Sequence, residues 1–190
     1  MHCDVHAVIA QPDFSAADAD CIAQTRAAHD RLYYPRLPPR FMLVYPFESS
    51  LALLRDEVRA RASEATQIDL TLASAAVHKD HFNSHFHVSL MPDLGLGELL
   101  RLYYALHAVT LRQQLLIEAN YVPHLTIGNT EDPQAGLELA RRWNSRAETI
   151  RATVRELHIL VCQPGAAPQL VDTVPLRPKS LARREHGACA

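Results

Sequence analysis

Two pairs of short stretches in this chain repeat one another, and the repetition limits the possible fold more than any other feature. Val8-Ile9-Ala10-Gln11-Pro12-Asp13 aligns with Val88-Ser89-Leu90-Met91-Pro92-Asp93 at an offset of 80, and each leads into a segment of helical spacing. Pro39-Arg40-Phe41-Met42-Leu43 aligns with Pro123-His124-Leu125-Thr126-Ile127 at an offset of 84, with a proline opening both runs. The order strand, helix, strand, helix, strand therefore occurs twice, which predicts two similar lobes about a pseudo-two-fold axis.

The elements follow from local pattern. A first strand over residues 5–10 stops at Pro12-Asp13, and Ser15 caps a helix over 16–31 with small or apolar residues at Ala19, Ile22, Ala23 and Ala27. Pro35, Pro38 and Pro39 end that helix, a strand over 41–45 closes at Pro46, and a helix covers 51–65. Period-two patterning begins at 69–73, and a strand over 86–91 stops at Pro92. A helix over 96–116, a strand over 122–128 and a helix over 134–146 come next, and segments 154–161 and 170–176 form a hairpin about Gln163-Pro164-Gly165. The expected class is α+β: two pseudo-symmetric lobes, each an antiparallel sheet with helices on its outer face, around a central cleft. Residues 1–178 form one domain in this reading. Lobe one takes about 14–80 plus exchanged strands, lobe two about 84–176, and 179–190 is a flexible tail.

A formal charge of −2 excludes bulk-charge binding to long nucleic acid, so any such role must be local. No apolar run approaches a membrane span, and no basic segment leads into an apolar one at the start, so a cytoplasmic protein without membrane contact is expected. Cys3, Cys21, Cys162 and Cys189 lack metal-site or disulfide-framework spacing.

Strand alternation then selects side chains. His124 and Thr126 share one face and point into the cleft, while Leu125 and Ile127 point into the core. By symmetry Arg40 and Met42 occupy the opposite wall. His87-Val88-Ser89 is a further His-x-Ser, although the duplication sets His87 opposite Ala7 and away from the second motif's equivalent strand. Tyr45 and Tyr121, each beside a motif strand, could stack on a base. His78, Asp80, His81, His85 and His87 read as a loop of solvated histidines, with a zinc or nickel site as the rarer alternative.

A Pro-His-x-Thr strand late in the chain, and a Pro-x-x-x-Leu-Val-Tyr-Pro-Phe strand some eighty residues earlier, resemble the 2H phosphoesterases. The similarity runs from Val5 to about Leu176. That family, which includes 2′-5′ RNA ligases and 2′,3′-cyclic phosphodiesterases, carries one His-x-Thr or His-x-Ser motif per lobe. The resemblance implies metal-independent chemistry with no cofactor. Here the second motif stands as His124-Leu125-Thr126, and the first has become Arg40 and Met42.

The loss bears on mechanism. Cyclic phosphate opening needs one group to take a proton and another to give one, and two near-neutral histidines can divide those tasks. Arginine binds phosphate well but stays protonated, and methionine offers no hydroxyl. The expected roles are His124 as acid or base and His87 as a possible second proton carrier. Thr126 and Ser89 would contact phosphate, Arg40 would clamp the anion, and Tyr45 and Tyr121 would contact the substrate. The ligand is a nucleotide, an RNA end with a cyclic phosphate or a small phosphorylated molecule, held by a monomer. The rival reading is an impaired relative that binds such a ligand without turnover, and a more distant one is a metal-binding scaffold.

Overall fold

A computed structural model describes residues 4–80, 83–114 and 121–179. Seven strands, β1 (Asp4–Phe14), β2 (Phe41–Ser49), β3 (Ile68–Lys79), β4 (Phe86–Leu94), β5 (Leu125–Thr130), β6 (Ile150–Cys162) and β7 (Gln169–Pro175), alternate with helices α1 (Ala16–His29), α2 (Leu51–Glu64), α3 (Leu96–Leu106) and α4 (Pro133–Asn144). All strand pairings are antiparallel, in the order β2-β1-β6-β3-β4-β5, with β7 beside β6. That order reads symmetrically from its centre: β2 answers β5, β1 answers β4 and β6 answers β3, as the sequence repeat requires.

β6 joins the halves. One of its edges pairs with β1 from Ala152 to Cys162, while the other takes β3 along Ile150–Val154 and then β7 along Glu156–Val161. The single seven-stranded sheet forks where β3 gives way to β7 along the edge of β6. The helices interleave across this junction: α1 follows β1 but packs on β5, α3 follows β4 but packs on β2, α2 covers β6 and β7, and α4 covers β3 and β4. Leu54, Val58 and Ala62 of α2, at spacings of four, are all buried, as are Leu99, Leu102, Tyr103 and Leu106 of α3. On the other lobe Gly128 lets α4 close on β5, because a Cβ there would stand 2.8 Å from Leu139 Cδ2.

Three prolines expected to stop strands lie within them. The β1–β6 register shifts between Ala10 and Pro12, and the β3–β4 register shifts on both sides of the Leu72–Pro92 pair. Each strand accommodates the missing N–H with an irregularity and continues to Phe14 or Leu94. At the second, the Asp93 carboxylate accepts the Ala73 N–H at 2.9 Å. Pro46 sits in β2, an edge strand, where a missing donor is tolerated. β3 runs to Lys79, well past the expected end at residue 73.

The third helix is shorter than expected. α3 ends at Leu106, where His107 Nδ1 donates to the Tyr103 carbonyl at 2.8 Å, and β-branched Val109 and Thr110 follow. A single 3₁₀ turn over Arg112–Gln114 comes next, and residues 115 and 116 of the expected helix lie outside the described residues. Of the expected tail, only Lys179 is described, with its ammonium 2.7 Å from Asp69. No described helix is long and apolar enough to cross a membrane.

Candidate active site

The loop between α1 and β2 is fixed by a buried ion pair at the end of α1. Asp30 accepts from Arg26 Nε at 2.9 Å, from the Tyr33 N–H at 3.0 Å and from Asn129 Nδ2 of β5 at 2.6 Å, and Arg26 also holds the Leu37 carbonyl at 2.8 Å. One carboxylate thus ties the loop that delivers Tyr33 and Arg40 to the strand that delivers His124 and Thr126. A cavity of about 140 Å³ lies between them. Tyr33, Arg40, Met42 and Tyr45 line one side, and His78, Lys79, Asp80, His87, His124 and Thr126 line the other.

Arg40 is held beneath the surface with little to hold in turn. Its Nη1 donates to the Pro38 carbonyl at 3.2 Å and its guanidinium lies 5.1 Å from the Tyr33 ring centroid, but Nε is buried with no hydrogen-bond partner among the described residues. Burial, with a smaller contribution from the Arg26 charge, lowers its pKa to about 10, so it remains a cation at neutral pH. A desolvated cation with a spare donor is matched to an anion.

On the facing wall His124 Nδ1 donates to the Val122 carbonyl at 2.8 Å, which leaves Nε2 as the bare, proton-accepting nitrogen. Burial lowers the His124 pKa, and the positive charges of His87 and Arg40 act in the same direction against the Val122 bond and Asp80. The Thr126 hydroxyl lies 3.5 Å from that of Ser89, which is fully buried and backs Thr126. His87 Nε2 meets Asp80 Oδ2 at 2.6 Å with both side chains under a tenth exposed. His78 pairs with His87 across the β3–β4 ladder, and its ring centroid stands 4.6 Å from that of His124.

The structure therefore gathers His124, Thr126, Arg40, His87 and Tyr45 from the sequence candidates, with Ser89 behind them. Tyr121 is placed differently: it stacks on Tyr103 at 3.7 Å and 8°, and its buried hydroxyl has no partner among the described residues. The histidine segment is no solvated loop either, since His78 and His87 lie on strands in the cleft, His87 is buried, and His85 turns toward Glu131 at 3.8 Å. His81 lies outside the described residues. No group of three His, Cys, Asp or Glu residues among the described ones is placed to hold a metal ion. Tyr33, His78 and Asp80 were not singled out as site residues from sequence; the signal that could have found the last two is the His-rich turn itself, read as a hairpin that continues both strands.

A model of the 2′-5′ RNA ligase superfamily matches residues 12–165. The chain belongs to that superfamily. Solved structures of the same fold include a phosphoesterase (14% identity, TM-score 0.55, covering 92% of this chain and 99% of that one). Usb1 of Kluyveromyces marxianus follows at 12% identity and TM-score 0.56, covering 91% and 98%. E. coli LigT in its apo form stands at 14% identity and TM-score 0.56, covering 93% and 99%. None of the curated protein sequences matches significantly. The superfamily assignment and the 2H-type fold account for the duplicated strands and for a cleft with a His-x-Thr strand on one wall. A larger cavity of about 550 Å³ lies on the opposite face of lobe two, between α1, β5 and α4, and its lining includes Val88 but none of the motif histidine or hydroxyl residues.

Proposed function

We propose that this 2′-5′ RNA ligase superfamily member acts on a 2′,3′-cyclic phosphate or a 2′-5′ phosphodiester of a nucleotide or RNA end. The observation that carries the reading is the bare Nε2 of His124 in one small cavity with the underused guanidinium of Arg40. Arg40 and the Thr126 hydroxyl hold nonbridging phosphate oxygens, His124 moves one proton, and His87 is the second proton carrier. A 140 Å³ cavity admits the phosphate and leaves the base outside it, beside Tyr45. Complexes of LigT with phosphate and with 3′-AMP, and of Usb1 with uridine monophosphate, support this reading, since related folds hold such ligands there.

The test is turnover of a 2′,3′-cyclic nucleotide by wild type and His124→Ala, and equal rates would remove the assignment. Met42 in the cavity wall favours a second reading, a cleft that binds a phosphorylated ligand without converting it. Calorimetric binding with no product would support that reading. Arg40→His with Met42→Thr would then introduce turnover.

A further inference from the structure

A cleft that has lost the first-motif histidine still needs a group to protonate the leaving oxygen, and Arg40 cannot exchange a proton at neutral pH. The β3–β4 hairpin holds a pair built for that task. The Asp80 N–H donates to the His85 carbonyl at 2.9 Å, Asn83 Nδ2 donates to Asp80 Oδ2 at 2.7 Å, and the Asn83 side-chain oxygen accepts the His85 N–H at 2.9 Å. The carboxylate so fixed meets His87 Nε2 at 2.6 Å, and the His87 ring is flanked by Tyr33 at 5.8 Å and His78 at 5.6 Å. Its remaining nitrogen, Nδ1, is buried and has no partner among the described residues, although the residue lines the cavity. Buried ring nitrogens without partners are rare, and this one awaits a hydrogen-bonding atom from the cavity.

We propose that Asp80 and His87 form the acid half of the site, with Asp80 as a positioning residue that holds the ring by Nε2 so that His87 Nδ1 protonates the leaving oxygen. This rests on the phosphodiesterase reading above and assigns the two proton transfers within it. Water attacks phosphorus as its proton passes to His124 Nε2. The bond from phosphorus to one ribose oxygen breaks, and that oxygen takes the electron pair and the proton from His87 Nδ1. The imidazolium before transfer is balanced by the Asp80 carboxylate. Afterwards His124 carries the proton, His87 lacks one, and exchange with solvent restores both.

An acid is needed only when the leaving group is poor, so two substrates separate this role from a structural one. Uridine 2′,3′-cyclic phosphate releases a ribose alkoxide, whereas thymidine 3′-(p-nitrophenyl phosphate), which has no 2′-hydroxyl, is attacked by water as the cyclic substrate is and releases nitrophenolate without protonation. Asp80→Asn and His87→Gln are expected to lose about a hundredfold or more on the first and less than about threefold on the second. His124→Ala loses rate on both. Equal losses on both substrates in the Asp80 and His87 variants, or no loss on either, would overturn the acid assignment. So would a cyclic-substrate loss confined to Tyr33→Phe or Lys79→Ala. Wild type inert toward both substrates would instead overturn the phosphodiesterase reading and the acid role with it. Nitrogen-15 NMR of the imidazoles gives a readout independent of rate: neutral His87 should carry its proton on Nε2 in wild type and show more of the Nδ1–H form in Asp80→Asn. A wild-type Nδ1–H tautomer contradicts the proposal.

Discussion

Arg40 and Met42 stand on one wall of the cleft where His124 and Thr126 stand on the other, and the difference extends beyond those pairs. Behind Met42, on the same face of the lobe-one sheet, come Ile9, which pairs with it, then Ala7 and its partner Leu160, all buried. The lobe-two wall presents His78, His87 and Thr126 over buried Ser89. The fold is thus symmetric in its backbone pairing and asymmetric in the chemistry of its two walls. Sheet pairing is made by main-chain groups that any side chain shares, whereas proton transfer depends on a few particular atoms, so the walls can diverge without disturbing the fold. In the proposed function the cationic clamp on the anion stands on one wall, and proton transfer, with the Thr126 hydroxyl, on the other.

The sharpest way to break that division is His124→Ala, which should lower turnover of a 2′,3′-cyclic nucleotide by about 10²–10⁴-fold in a rate assay, the usual loss of a general acid or base. Removing the tie between the walls comes next. Asp30→Ala leaves Arg26 buried without its carboxylate and frees both Asn129 and the Tyr33 N–H, so denaturant unfolding should report a loss of about 3–5 kcal/mol. A loss within about 0.5 kcal/mol, the range of an ordinary surface change, would mean the walls are aligned by something else.

Arg40→Met tests the cationic wall alone. Phosphate affinity by calorimetry should fall about tenfold or more, since hydrogen bonds to charged groups contribute about 1.5–3 kcal/mol each. Stability without ligand should hold or rise. The folded state disfavours the charged guanidinium, so this residue costs stability below pH 10, and the cost fades as pH rises through its lowered pKa of about 10. Loss of both affinity and stability would show that Arg40 is a structural cation.

The smallest effect concerns pH. Because the His124 pKa is lowered from 6.5, its Nε2 stays available as a base in acid, and the acidic limb that it contributes to kcat/KM should lie below pH 6.5. The same shift makes the unfolded imidazole the better proton acceptor. Stability therefore falls as pH drops below 6.5 toward the folded value, and His124→Gln should flatten that part of a Tm-against-pH curve.

The amino-acid sequence by itself determined the duplicated order of elements, the class of fold and the side on which His124, Thr126, Arg40 and Met42 fall. Those follow from period and offset, which are local and survive without knowledge of what lies across the sheet. Tertiary structure decided that Pro12, Pro46 and Pro92 lie within strands, because a neighbouring strand or an open edge absorbs the missing donor. It also decided that Tyr121 belongs to the packing around Tyr103, and that Asp80 and His87 meet across a hairpin whose two strands the sequence pattern left short. Contacts of that kind depend on register between segments, and register is set by long-range pairing that no single window of residues contains.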